Sequence, residues 1–324
     1  MAKVSIIIPI YNVEDHLKKS IQSALDQTFI DFELIAVNDG STDDSPVILA
    51  NMAEMDSRIK VIDQSNQGVG GARNTGLSVA KGEYIYFADA DDYLEKDLLE
   101  KVIDATDNRE INLIVFGYKM IKNEKVFKTR TIKDKHFART NQDFAEFFGE
   151  HNETIDMNSL WNKLYRRDFL SKNELWFSDK KIGEDAFFNY EIYETIDKVL
   201  FLDEVLYNYV IQRDGSAMSA FQGEQKIKDK ISAMELRQTL LKKWGLPKLN
   251  SDILYINIIF SEVLSLSNSN ESTDKKKLLR EYLTNQYIYE LIHVIEYKNL
   301  GTLKNKLKYV FCKKRILWSL INLL

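Results

Sequence analysis

Six consecutive residues near the N-terminus, Val4–Pro9 (VSIIIP), carry no charge and include a single hydroxyl. A strand with one face in water alternates apolar and polar residues. An unbroken apolar run suits a strand covered on both faces, as in a parallel sheet flanked by helices. The next hundred residues keep the rhythm this requires. Glu14–Gln27 places Leu17, Ile21, Ala24 and Leu25 at helical spacing, and Phe32–Val37 (FELIAV) reads as a second strand. Ser45-Pro46 opens a helix, with Ser45 as the expected N-cap and Pro46 at the first helical position. Ile59–Ile62 is a third strand, Val69–Ala80 a helix, Tyr84–Ala88 a fourth strand, Glu95–Ala105 a helix and Leu113–Tyr118 a strand. This βαβαβ order predicts an α/β, Rossmann-like fold with a mostly parallel sheet.

From about Gln222 the pattern changes. Ile227, Ile231, Met234, Leu241 and Trp244 recur at helical spacing, and Leu249–Leu266, Lys275–Tyr297 and Thr302–Leu324 also read as helices. The expected organisation is an α/β domain over 1–215 followed by an all-helical domain over 216–324. A length of 324 residues, 44% hydrophobic and 29% charged, supports two such units. The net charge of −5 gives no sign of a nucleic-acid partner. One cysteine, Cys312, cannot form an internal disulfide, no signal peptide is evident, and no run reaches the ~20 apolar residues of a membrane span. The expected location is the cytoplasm. In the last helix Lys304, Lys306, Lys308, Lys313, Lys314 and Arg315 alternate with Tyr309, Phe311, Trp318 and aliphatic residues. Such a basic amphipathic helix suits packing within the helical domain, a homo-oligomer contact, or peripheral attachment at the inner face of the membrane.

Ligands of open parallel sheets bind beyond the carboxyl ends of the strands. Three polar segments fall there: Pro9-Ile10-Tyr11-Asn12, Asn38–Asp43 and Asp89-Ala90-Asp91-Asp92. Three carboxylates within four residues repel one another, and a divalent cation relieves that. Oxygen ligands of this kind suit Mg²⁺ or Mn²⁺, which bind one or two carboxylates together with substrate phosphates. Taken alone, the cluster also fits a solvated helix start, where Asp is favoured, and Asn38-Asp39-Gly40 also fits ordinary turn chemistry. Gly68–Gly71 followed by Ala72-Arg73-Asn74 looks like a tight loop entering a helix, with Arg73 near the crevice.

Read together, VSIIIPIYN, VNDGSTDDS, GVGGARNTGL, GEYIYFADADDYL, WNKLYRR and IGEDAFF resemble the inverting glycosyltransferases of family 2, which have the GT-A fold. The resemblance runs in order over residues 3–215. It implies a bacterial surface-glycan enzyme that moves a sugar from a UDP-sugar (glucose, galactose or N-acetylhexosamine) to a hydroxyl of an acceptor glycan on lipid or protein. It implies that Pro9, Tyr11, Asp39, Arg73 and Asp89 hold the nucleotide, that Asp91 with Asp89 ligates Mn²⁺ or Mg²⁺, and that Asp185 is the general base beside Glu184. Trp161 and Lys163 are implied on the sugar or acceptor side. Where many relatives carry a histidine near the diphosphate, this chain reads Ile211-Gln212-Arg213-Asp214-Gly215-Ser216, so Arg213 and Ser216 are the implied diphosphate contacts. Two alternatives compete: a sugar nucleotidyltransferase, which calls for a Gly-rich, Arg-containing loop after the first strand, and a non-catalytic partner subunit that keeps the fold.

Overall fold

The computed structural model describes residues 2–151, 154–179, 183–211, 223–246, 251–268 and 285–314. The chain forms two compact units, 1–212 and 213–324.

The first unit is built on a ten-stranded mixed sheet, counted over the described residues. Strands β1 (Val4–Ile10), β2 (Phe32–Asn38), β3 (Ile59–Asp63) and β4 (Tyr84–Phe87) pair in parallel in the order β3-β2-β1-β4. Helices α1 (Glu14–Leu25), α2 (Ser45–Met55) and α3 (Gly68–Val79) make the connections. Beyond β4 the sheet becomes mixed. After the two-residue β5 (Tyr93–Leu94) and α4 (Leu98–Asp104) come β6 (Leu113–Lys122), β7 (Lys125–Arg130), β8 (His136–Ala138) and α5 (Asn141–His151). They are followed by β9 (Lys163–Arg166), α6 (Arg167–Lys172), α7 (Glu184–Thr195) and β10 (Val199–Val210). Strand β9 runs antiparallel between β4 and β6, whereas β10 is parallel to β6.

The apolar run of β1 is used as its composition requires. Val4, Ile6, Ile8 and Ile10 join one core with Leu17, Ile21 and Ala24 of α1, and all of them are buried. Ile7, on the opposite face, meets α3, where a Cβ on Gly76 would lie 2.5 Å from its Cγ2. Pro9 sits in a strand paired on both sides, which normally excludes proline. It is accommodated because β4 pairs with β1 only as far as Ile7. The Ile7 carbonyl accepts from Ala88 N–H on the β4 side, and Pro9, two residues on, faces the same way but past the ladder's end. One local expectation is corrected. The cap position of α2 is Asp44, with Ser45 and Pro46 already helical. The Ser45 hydroxyl instead accepts from Val13 N–H at 3.1 Å, tying the start of α2 to the start of α1.

In the second unit, α8 (Gly223–Lys243), α9 (Ser251–Asn268) and the helices Gln286–Val294 and Leu303–Lys314 are described. Ile227, Ile231, Met234, Leu241 and Trp244 are all buried, as their periodicity implies. The core also takes in Ile256, Ile259, Ile288, Ile292, Tyr309 and Cys312. Much of the expected helix over Lys275–Tyr297 and the tail from Arg315 onward lie outside the described residues. Among the described residues no helix is long and apolar enough to cross a membrane.

An alanine in mid-helix normally gains about 0.5–1 kcal/mol over glycine. At Gly76 the contact with the buried Ile7 reverses the sign, and Gly76→Ala should destabilise the chain by about 1–3 kcal/mol in a urea titration. A stabilised variant would mean that α3 does not rest on β1 this closely.

Candidate active site

The ends of β1 and β2 are laced together. Asp39 N–H donates to the Ile10 carbonyl at 2.8 Å. Asn12, in the left-handed region at φ 49°, accepts from Thr42 N–H on its Oδ1 at 2.8 Å, and its own N–H donates to Ser41 Oγ at 3.1 Å. Gly40 has φ +76°, and a Cβ there would lie 3.0 Å from the Asn66 backbone nitrogen, so the Asn-Asp-Gly turn needs its glycine. Asp39 is 2% exposed, and its Oδ1 accepts from Gln64 Nε2 at 2.7 Å and from Gln67 N–H at 2.8 Å. Pro9 is buried beneath this corner, while Tyr11 stands half exposed at its mouth.

The end of β4 carries the acidic cluster. Oxygens from Asp89, Asp91 and Asp92 come within 4.8 Å of one another. The three carboxylates are not equivalent. Asp92 is buried; its Oδ2 accepts from the Tyr207 hydroxyl at 2.9 Å and its Oδ1 from Val210 N–H at 2.7 Å. Burial, with the neighbouring Asp89 charge, raises its carboxyl well above the usual range. Asp92 thus fastens β4's end to β10, whereas Asp89 and Asp91 remain partly accessible.

Helix α7 begins on Gly183, which is left-handed at φ 75°, and carries Glu184 and Asp185 in its first turn. Glu184 is 8% exposed and accepts from Arg73 Nη1 at 2.8 Å. Arg73 Nη2 donates to Asp89 Oδ1 at 3.1 Å, so one guanidinium joins the β4 cluster to α7. Burial, reinforced by the Glu184 charge and opposed by Arg73, pushes the Asp185 carboxyl up to about 7. One turn on, the buried Asn189 amide donates to the Asp185 carbonyl at 2.9 Å and to the Asn158 carbonyl at 2.6 Å. Its Oδ1 accepts from the Tyr165 hydroxyl at 2.8 Å.

Trp161 and Lys163 differ in kind. The Trp161 indole is stacked on Tyr207 at 4.7 Å and on Tyr209 at 5.4 Å, and meets Tyr118 edge-on at 4.6 Å. Lys163 is fully buried, and its Nζ donates to the Asp156 carbonyl at 3.0 Å, the Asn162 side-chain oxygen at 2.8 Å and the Ser159 carbonyl. Burial lowers its ammonium to about 7 against the opposing charges of Asp156 and Asp185. Its three donors (all an ammonium has) are spent on the segment 156–163, so Lys163 supports this wall from inside. Arg213 and Ser216 lie outside the described residues.

Sequence reading passed over Tyr207, Asn189 and Asp156. The alternation Tyr207-Asn208-Tyr209 in β10 and the four-residue offset of Asn189 from Asp185 were the available signals. Replacing Tyr207 by Phe removes the hydroxyl that Asp92 uses and leaves a buried acceptor short of a donor. Urea unfolding of Tyr207→Phe should show a loss of about 1–3 kcal/mol. An unchanged midpoint would mean that the Tyr207 hydroxyl does not help to hold Asp92.

The sequence profile described as "Glycosyl transferase family 2" matches residues 5–173. "Glycosyltransferase GlyA" of Streptococcus pneumoniae is 32% identical over 295 residues, spanning 88% of this chain and 41% of that protein. "Uncharacterized glycosyltransferase EpsJ" of Bacillus subtilis is 35% identical over 208 residues, spanning 64% of this chain and 60% of that protein. The chain therefore matches between two fifths and three fifths of the length of these relatives. In structure it is similar to residues 1–349 of TarS from S. aureus in complex with UDP-GlcNAc, with TM-score 0.64 and 21% identity over 98% of this chain and 92% of that one. At that identity the likeness speaks for the GT-A fold. The chain belongs to glycosyl transferase family 2.

Proposed function

We propose that the chain transfers a sugar from a UDP-sugar to a hydroxyl of an acceptor glycan with inversion at the anomeric carbon, Asp185 acting as general base. The observation that carries this reading is the convergence, through Arg73, of the β4 carboxylates with the start of α7. It brings a site for a charged leaving group together with a carboxyl of raised affinity for protons.

In this reading the uracil ring lies against Tyr11 and Pro9, and its N3–H donates to Asp39. Two donors already fix Asp39 through Oδ1, so a nucleotide meets a pre-set acceptor in Oδ2. The residues at β4's end fit a hard divalent cation, Mn²⁺ or Mg²⁺: the donors are oxygens only and closely grouped. With Asp92 committed to Tyr207 and Val210, Asp89 and Asp91 would hold it. When bound, such an ion supplies neutralisation of charge on the departing diphosphate. Arg213 and Ser216 are proposed to contact the same diphosphate.

Asp185 takes the proton of the acceptor hydroxyl as that oxygen bonds to the anomeric carbon, and the bond from that carbon to the UDP oxygen breaks. Inversion places base and leaving group on opposite faces of the sugar, and the reaction needs no covalent intermediate. A carboxyl poised near 7 suits a base at neutral pH better than an ordinary Asp, because it accepts the proton with more driving force while about half of it is still ionised. Trp161 and its stacked tyrosines would form the wall on the sugar and acceptor side. The described part of the helical unit ends in the basic helix Leu303–Lys314, with Leu303 and Leu307 exposed. We assign that unit, over about 216–324, to acceptor engagement or self-association at the inner face of the membrane.

Asp185→Asn keeps the size of the side chain but cannot take a proton. It should lower transfer by about 10²–10⁴-fold while UDP affinity, read by calorimetry, stays within about twofold. In the native chain the base must be ionised. Transfer should therefore rise with pH along an acidic limb centred near 7 and level off above it. Near-native turnover by Asp185→Asn, or a limb near 4, would move the base elsewhere.

A further inference from the structure

We propose that the β6–β7 hairpin docks on an anionic phospholipid surface, with Val126 and Phe127 entering the interface and Lys122, Lys125 and Lys128 meeting the headgroups. This holds whichever residue is the base.

Among the described strands β7 pairs with β6 alone, and Lys125–Thr129 are all exposed. Asn123 and Glu124, at φ 48° and 60°, close the two-residue turn that suits a tight hairpin. The ladder pairs Met120 with Lys128 and Ile121 with Val126, so Phe127 is an extra residue in β7. Such a bulge interrupts the alternation of faces. Two adjacent apolar side chains therefore stand in solvent together, Val126 57% and Phe127 63% exposed. Around them, residues 122–130 hold four basic side chains, Lys122, Lys125, Lys128 and Arg130, and one acid, Glu124, in a chain whose net charge is −5.

This combination selects the occupant. A second copy of β7 would set basic residues against basic residues, and like charges across a strand pair repel. The bulge and the edge lysines also hinder pairing with any other added strand. A soluble polyanion would satisfy the lysines but has no use for Val126 and Phe127. An anionic bilayer uses both, with charge in its headgroup layer and apolar depth beneath.

The hairpin also stands at the carboxyl edge of the sheet, where the crevice lies. Ile114 of β6 pairs with Leu164 of β9, and Leu164 with Tyr86 of β4, so the three are level. Strand β4 ends at Phe87, whereas β6 continues in the same direction to Lys122, roughly 25 Å past that level at about 3.3 Å per residue. Tyr118, opposite Arg130 at the hairpin's root, meets Trp161 edge-on. A bilayer under the hairpin tip therefore lies on the crevice side, and an acceptor carried on lipid would reach the Trp161 wall from it.

The test is co-sedimentation of the full chain with vesicles of phosphatidylcholine alone and of phosphatidylcholine mixed equally with phosphatidylglycerol. The native chain should bind the anionic vesicles at least tenfold more tightly, and high salt should erase the preference. A lysine at an anionic surface contributes about fivefold, so the pair Lys125→Glu with Lys128→Glu should lose at least tenfold. The pair Val126→Ser with Phe127→Ser should lose at least fivefold on the same vesicles. UDP affinity by calorimetry should stay within about twofold in both, which reports an intact fold. Should a pair fail that control, the single variants Lys128→Gln and Phe127→Ser replace it. Equal binding of the native chain to both vesicles, or binding that neither pair lowers, overturns the proposal. A loss confined to one pair overturns it as well: the lysines alone would mark a soluble polyanion, and the apolar pair alone an uncharged partner. A native dimer in light scattering that either pair dissolves would make the hairpin a contact between copies, with the same consequence.

Discussion

The crevice holds five carboxylates from two distant stretches of chain, Asp89, Asp91 and Asp92 from β4's end and Glu184 and Asp185 from α7, and a single buried guanidinium stands between the two groups. Everything else about the site follows from how that excess of negative charge is managed. Uncompensated carboxylates in a buried place are costly, and the site handles them in more than one way. Asp89 and Glu184 share Arg73. Asp92 takes an hydroxyl and a backbone N–H from β10 and is driven towards its neutral form. Asp185 accepts from the N–H of Ala186 at 2.8 Å and is left with a raised proton affinity. A substrate that brings a cation and a transferable proton fits the charges that remain.

The scaffold makes this arrangement reproducible. The parallel half of the sheet delivers the ends of β1, β2 and β4 to one edge, and the antiparallel β9 brings in the segment 156–163 beside them. That segment has little regular structure of its own. Its order comes from Asp156, whose carboxylate accepts from the N–H groups of Asn158 and Ser159 at 2.8 and 3.1 Å, from Lys163 within, and from Asn189, Tyr190 and Tyr193 of α7. The wall that Trp161 presents and the helix that carries Asp185 are therefore bonded to each other, and a disturbance of one reaches the other.

Much of this was legible in the chain. Largely apolar runs, interrupted by Ser5 in β1 and Glu33 in β2, marked β1, β2 and β4, because strands covered on both faces lack the polar alternation of a half-exposed strand. The helical period of Ile227, Ile231 and Met234 gave the first helix of the second unit for the opposite reason, that one stripe alone is buried. The short strands β5, β8 and β9 have two to four residues each, too few to carry a period, and they exist only because longer neighbours pair with them. At the site, the spacing of Asp89, Asp91 and Asp92 advertised an acidic cluster but not which member the protein keeps for itself. That depends on Tyr207, more than a hundred residues away. The family resemblance put Lys163 on the sugar or acceptor side but could not show its burial, which is decided by the carbonyls of Asp156 and Ser159 in a loop that sequence does not reveal as closed.

The central claim is that the Asp89–Asp91 edge and the Asp39 corner form one pocket for a nucleoside diphosphate with a divalent cation. Calorimetric titration of UDP into the native chain, once with Mn²⁺ and once after exhaustive chelation, tests it most directly. The account predicts at least tenfold tighter binding with the ion, about 1.4 kcal/mol, and predicts that Asp91→Asn binds UDP equally weakly in both conditions. Equal affinity of the native chain with and without the ion would contradict it.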